Sequence, residues 1–160
     1  MPGSQGEFTV EADVRAPAEV VFDTLVDLRG QDAWLGRSSA FRGTRDVSDH
    51  PVVVGTTYRE PSPLGTRVGR VAELDRPRRV VFDQPMRMRF GLGTLGIRVE
   101  VDLAERDGQT HVTRHVTLSF PRGLGFTKPA AVGLSRAESR RAVRALKAAC
   151  DDGVARRRAA

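Results

Sequence analysis

Ile97-Arg98-Val99-Glu100-Val101-Asp102-Leu103-Ala104-Glu105-Arg106-Asp107-Gly108-Gln109-Thr110-His111-Val112-Thr113-Arg114-His115-Val116-Thr117-Leu118 alternates apolar and polar side chains on both sides of an Asp-Gly pair. Period-two alternation marks strands buried on one face, and Asp-Gly is a strong two-residue hairpin signal. Closing the hairpin at Asp107-Gly108 pairs Leu103 with Val112, Val101 with Arg114, Val99 with Val116 and Ile97 with Leu118. The opposite face then receives Asp102 with Thr113, Glu100 with His115 and Arg98 with Thr117, all suited to water. A slip of one residue would mix the two sets. The same register puts Arg114 on the apolar face.

Working outward, Phe8 to Val14 alternates as another strand, and then the period changes. Pro17 can open a helix, and Ala18, Val21, Phe22, Leu25 and Leu28 make one helical stripe. A second short helical or irregular segment, Gln31 to Ser38, carries the only tryptophan, Trp34. Strands are predicted at about 40–47, 53–60, 66–75, 79–90, 97–105 and 110–120 from alternation. The breaks between them are too short for crossover helices, so the sheet is expected to be antiparallel. A final helix is predicted from about Pro129 to Cys150, with Val132, Ser139, Val143, Leu146 and Cys150 on its apolar stripe.

A chain of 160 residues suits one domain, expected over residues 7–150, with flexible termini at 1–6 and 151–160. The formal net charge is +6, yet the cations are spread through the elements with acids between them and few aromatics. That pattern argues against nucleic-acid binding. The polar start and the lack of a long apolar run predict a cytoplasmic protein with no stable membrane insertion. Cys150 is the only cysteine, which excludes an internal disulfide and any cysteine-built metal site.

Gly91-Leu92-Gly93-Thr94-Leu95-Gly96 spells a dinucleotide fingerprint, but an alternating strand follows it where the fingerprint requires a helix. A hairpin is expected there, and no cofactor is implied. His111 and His115 lie roughly 13 Å apart on a strand and cannot share a metal, so no metal site is expected. Met86, Met88, Phe90 and Leu92 form an apolar strand face that could be core or the adaptable wall of a cavity. Arg114 is the unusual residue. A guanidinium on an inner face is costly unless paired, and its partner could be water, a helix carbonyl, Glu60 or the anionic or carbonyl end of a ligand. Ser135 and Ser139 could leave room for that ligand under the last helix.

The set Phe8 to Val14, Ala16-Pro17-Ala18-Glu19-Val20-Val21-Phe22, Asp27, Trp34, Val54-Gly55-Thr56, Asp75 to Val80 and Gly108 to Thr113 resembles the START-like SRPBCC superfamily, particularly its polyketide cyclase/dehydrase and lipid-transport branch. The resemblance spans nearly the whole chain. It implies an α+β helix-grip fold, in which a curved antiparallel sheet of six to seven strands wraps a long C-terminal helix and two short helices follow the first strand. It also implies a hydrophobic small molecule, such as a lipid, quinone or polyketide, held between sheet and helix. The expected ligand contacts are Arg114, Tyr58, Glu60, Met86, Met88, Phe90, Val99, Val101, Val116, Leu118, Ser139 and Val143. Relatives often carry an aromatic residue where Arg114 stands, so the departure implies a more polar ligand or a smaller cavity. Three roles remain open at this level: a carrier or binding protein; a cyclase or dehydratase in which Arg114 stabilises an oxyanion and Glu60 or Tyr58 handles a proton; and a ligand-free interaction module.

Overall fold

The computed structural model describes residues 3–159. Seven antiparallel strands and three helices follow the order β1 (Gln5–Val14), α1 (Ala18–Val26), α2 (Gln31–Trp34), β2 (Thr57–Ser62), β3 (Gly65–Asp75), β4 (Arg79–Asp83), β5 (Met86–Met88), β6 (Thr94–Arg106), β7 (Gln109–Ser119) and α3 (Lys128–Ala159). The sheet order is β1-β7-β6-β4-β3-β2, with β5 pairing to β3 and β6. Helix α3 packs on the inner face, which is the helix-grip arrangement.

The β6–β7 hairpin has the expected register, with Val101 opposite Arg114 and Leu103 opposite Val112. Both turn residues, Asp107 and Gly108, have positive φ, as a tight primed turn demands. Strand β1 adds to the free edge of β7 and alternates exposed with buried residues.

Helix α1 begins at Pro17, which has no side chain able to cap it. Its first N–H is satisfied from a distance, because the Ala18 backbone N donates to Glu105 Oε1 of β6 at 2.6 Å. A carboxylate there also complements the positive helix end. The helix buries Ala18, Val21, Phe22 and Leu25.

Three boundaries depart from expectation. Residues 40–47 contribute only an isolated bridge, Arg45 to Arg59; two early strands were predicted, but β2 starts at Thr57 and Val54 lies exposed in the loop before it. The predicted strand at 79–90 divides into β4 and β5 and then breaks in a 3-10 turn where Phe90 adopts φ 61. Helix α3 continues past the expected boundary at Cys150. There Asp151 accepts from the Arg15 backbone N at 2.8 Å and pairs with Lys147 Nζ at 2.8 Å. Met1, Pro2 and Ala160 lie outside the described residues.

Candidate functional site

Alternation along β2 turns Tyr58, Glu60 and Ser62 inward. Across the ladder, Tyr58 faces Gly69 of β3, and its ring lies directly over that glycine. A methyl placed on Gly69 would sit 2.2 Å from Tyr58 Cζ, so this position has room for the phenol only because no side chain competes. The ring meets Phe82 edge-on with centroids 6.2 Å apart. Its hydroxyl accepts a hydrogen bond from Gln84 Nε2 at 2.6 Å, which leaves the phenolic hydrogen available to another acceptor. Burial, reinforced by the nearby Glu60 charge, pushes the Tyr58 pKa well up, so the phenol stays protonated and can donate a hydrogen bond.

Arg67 of β3, which shares parity with Gly65, Gly69 and Val71, reaches the same space. Its Nε lies 3.2 Å from Glu60 Oε2, but the N–H is not aimed at that oxygen and forms no hydrogen bond. The contact is therefore Coulombic. Arg67 Nη2 donates to the Ala40 carbonyl at 3.3 Å. Glu60 Oε1 accepts from Thr44 Oγ1 at 3.1 Å, and Thr44 Oγ1 lies 2.6 Å from the Gln31 amide. A hydroxyl carries one hydrogen, so Thr44 can serve Glu60 only if Gln31 presents its amide nitrogen to Thr44. Burial raises the Glu60 pKa above the usual carboxylate value despite Arg67, Thr44 and Arg114.

Arg114 enters from β7. Its Nε donates to Ser139 Oγ of α3 at 3.2 Å, and this is its only side-chain hydrogen bond among the described residues. No carboxylate among them lies within ion-pair distance. Burial lowers its pKa to about 10, against the opposing pull of Glu60. The side chain nonetheless keeps some accessible surface, because its fork faces a cavity lined also by Tyr58, Glu60, Arg67 and Gln84.

That cavity measures about 100 Å³. It is small beside the roughly 300–1,000 Å³ of pockets for drug-sized ligands. Of the expected contacts, Arg114, Tyr58, Glu60, Val99, Val101, Val116, Ser139 and Val143 line it, and Ser135 does so as well. Met86, Met88, Phe90 and Leu118 do not. Met86 and Leu118 are buried in the core and Met88 packs against it, whereas Phe90 is 93 % exposed because its turn ends the strand alternation that would have pointed it inward.

Trp34, Leu35, Phe41, Arg67, Gln84, Glu138 and Arg141 also line the cavity and were not anticipated. Arg67 was legible from its parity within Gly65-Thr66-Arg67-Val68-Gly69. The wall from α2 onward is irregular and carries no periodic signal. Trp34 Nε1 in that wall is buried with no hydrogen-bond partner among the described residues. Arg141 ties the wall to α3, donating to the Gly36 carbonyl at 2.7 Å while its fork meets Glu138.

The histidines stand away from this site. His111 contacts Asp13 and Glu11 of β1, and His115 contacts Thr9 and Glu7. The expected His115–Glu100 pairing is a ladder register only, since Glu100 instead binds Arg79 at 2.8 Å. Among the described residues, no three His, Cys, Asp or Glu are grouped to hold a metal ion.

A sequence model described as polyketide cyclase/dehydrase and lipid transport matches residues 5–151. The chain belongs to this family. This is the polyketide cyclase/dehydrase branch of the SRPBCC superfamily, and the structural neighbours include an aromatase/cyclase. The Zhui aromatase/cyclase from Streptomyces sp. R1128 superposes with a TM-score of 0.76 at 13 % identity, covering 94 % of this chain and 96 % of that one. A protein from Mesorhizobium loti gives 0.66 at 15 % identity, covering 89 % and 94 % respectively. One from Arthrobacter aurescens gives 0.64 at 19 % identity, covering 91 % and 86 %. At these identities the likeness is one of fold. No curated protein matches the sequence. Within the family fold, this member's sheet-to-helix cavity is small and carries a phenol, two carboxyl groups and three guanidinium groups.

Proposed function

We propose that the protein binds a small organic molecule with an anionic or enolate-like end, which docks against Arg114 while its apolar part lies along Val99, Val101, Val116 and Val143. The supporting observation is Arg114 itself: a deeply set guanidinium whose two terminal nitrogens make no hydrogen bond among the described residues. Arg67 and Arg114 face the cavity with Glu60 between them in charge, so one cation is left over even when Glu60 is ionised. A ligand carboxylate or enolate would neutralise it, and the guanidinium fork suits such a group. The cavity volume fits the polar end of a ligand. A longer apolar remainder would require the irregular wall at residues 31–41 to yield.

The role is that of a binding or carrier protein. A second reading, a cyclase or dehydratase, is favoured by one specific arrangement: Tyr58 has an uncommitted phenolic hydrogen in the cavity that holds Arg114. In that chemistry Arg114 would stabilise a developing oxyanion and Tyr58 would deliver the proton. The fold similarity to an aromatase/cyclase is compatible with either.

Calorimetric titration with an aryl carboxylic acid and its matched amide tests the binding reading. The acid should bind at least about tenfold more tightly, as expected for a charge-assisted hydrogen bond, and Arg114→Met should erase that preference. Equal binding of acid and amide by the unmodified protein would defeat it. Turnover of a β-hydroxy ketone that is lost in Tyr58→Phe, with binding retained, would establish the enzymatic role.

A further inference from the structure

One end of the sheet gathers exposed apolar side chains and unpaired cations from three separate turns. Leu64 lies in the β2–β3 turn, Phe90 and Leu92 in the β5–β6 turn, and Phe126 in the turn before α3; they are 54 %, 93 %, 51 % and 79 % exposed. The ladder registers bring these turns to one edge, with Gly65 opposite Met88, Gly96 opposite Ser119 and Ser119 opposite Gln5. Direct contacts close the group. The Arg89 backbone N donates to the Leu64 carbonyl at 3.2 Å, and a methyl on Gly93 would sit 3.3 Å from Pro121.

The charge at this end is of one sign. No Asp or Glu occurs between Glu60 and Glu73, between Asp83 and Glu100, or between Asp107 and Glu138. The same segments contribute Arg87, Arg89, Arg122 and Lys128, and none of these has an ion-pair partner among the described residues. Elsewhere on the solvent face of the sheet, cations are paired, as Arg79 is with Glu73, Glu100 and Asp102, and Arg98 with Asp83. Phe90 also holds an unfavourable left-handed backbone, φ 61, in a conformation that presents its ring to solvent rather than to the core.

We infer that this tip docks on an anionic lipid surface, with Phe90, Leu92, Leu64 and Phe126 entering the headgroup boundary and the four cations meeting lipid phosphates. Aliphatic and aromatic side chains ringed by cations are what an interfacial contact requires. Two leucines beside the phenylalanines favour lipid over nucleic acid, because leucine offers no stacking plane. No described helix is long and apolar enough to cross a membrane, so the contact is superficial and reversible. The tip shares no residue with the cavity lining, and the two proposals stand or fall separately.

The test is co-sedimentation of the full chain with vesicles of equal parts phosphatidylglycerol and phosphatidylcholine, against pure phosphatidylcholine. Binding should require phosphatidylglycerol and fall as salt rises from about 0.1 to about 1 M. Arg89→Ala should weaken partition about fivefold. The double variant Phe90→Asn/Leu92→Ser should weaken it at least about tenfold, and asparagine tolerates the left-handed backbone, so the turn is kept. Phe90→Trp should retain binding and shift its emission to the blue on vesicles; unchanged melting temperatures would verify that all variants fold. Absence of binding to the anionic vesicles would overturn the inference. So would binding by Arg89→Ala and by Phe90→Asn/Leu92→Ser that equals that of the unmodified protein, or tip-dependent binding of DNA with none to vesicles.

Discussion

Replacing Arg114 with methionine should make the protein more stable while removing its proposed ligand anchor. The guanidinium is held charged at neutral pH although burial lowers its pKa to about 10 from 12.5. At about 1.4 kcal/mol per pH unit this corresponds to roughly 3 kcal/mol, and the partial exposure of Arg114 reduces it to about 2 kcal/mol. Methionine fills a similar volume without a charge, and the lost bond to Ser139 Oγ subtracts about 1 kcal/mol. The balance is a gain of about 1–2 kcal/mol, or a rise in Tm of roughly 2–8 °C for a chain of this size. Calorimetry at pH 7 without added ligand reads it directly. A loss of more than about 1 kcal/mol would mean that Arg114 is already satisfied inside the protein, and the motive for a ligand at its fork would disappear.

Glu60→Gln should act in the same sense at neutral pH, because burial disfavours the Glu60 anion more than Arg67, Thr44 and Arg114 favour it. Its pH dependence is also defined. Since the Glu60 pKa is raised in the folded state, its protonation contributes stability that is fully present below pH 4.5 and lost as pH rises through the folded value. The unmodified protein should therefore lose stability relative to the variant as pH rises through that window; melting curves that stay parallel would contradict the assignment. Gly69→Ala should cost about 1–3 kcal/mol by overpacking against Tyr58 and should weaken ligand binding; a neutral result in chemical denaturation would dispute the close approach. On the outer face, hydrogen bonds to Asp13 and Glu11 raise the His111 pKa above 6.5. Proton NMR titration should show it falling in Asp13→Asn, and no change would discount the contact.

The hairpin around Asp107-Gly108 was readable because three independent signals agree: turn chemistry, alternation, and segregation of charge to one face. That agreement located Arg114 and, through parity, Tyr58 and Glu60. Phe90 was misplaced because alternation was extended through Arg89, where the chain leaves the sheet in a 3-10 turn. Arg67 was overlooked among many arginines, although it falls on the inner parity of β3. Trp34, Leu35 and Phe41 belong to a wall with no repeating period, and only tertiary packing brings them to the cavity. The cavity's small size also depends on how those side chains fill the space, which composition does not encode.

The carboxylate of Glu105 that caps α1 joins two walls of the pocket. Glu105 stands on the β6–β7 hairpin that carries Arg114, and the helix it holds supplies Leu25 to the facing side. These two parts therefore behave as a fixed jaw whose opening is set by one hairpin register. The adjustable jaw is the irregular segment from Gln31 to Phe41, pinned to α3 by Arg141. Changes in ligand size among proteins built this way should accumulate in that segment, leaving the hairpin and its distant cap untouched.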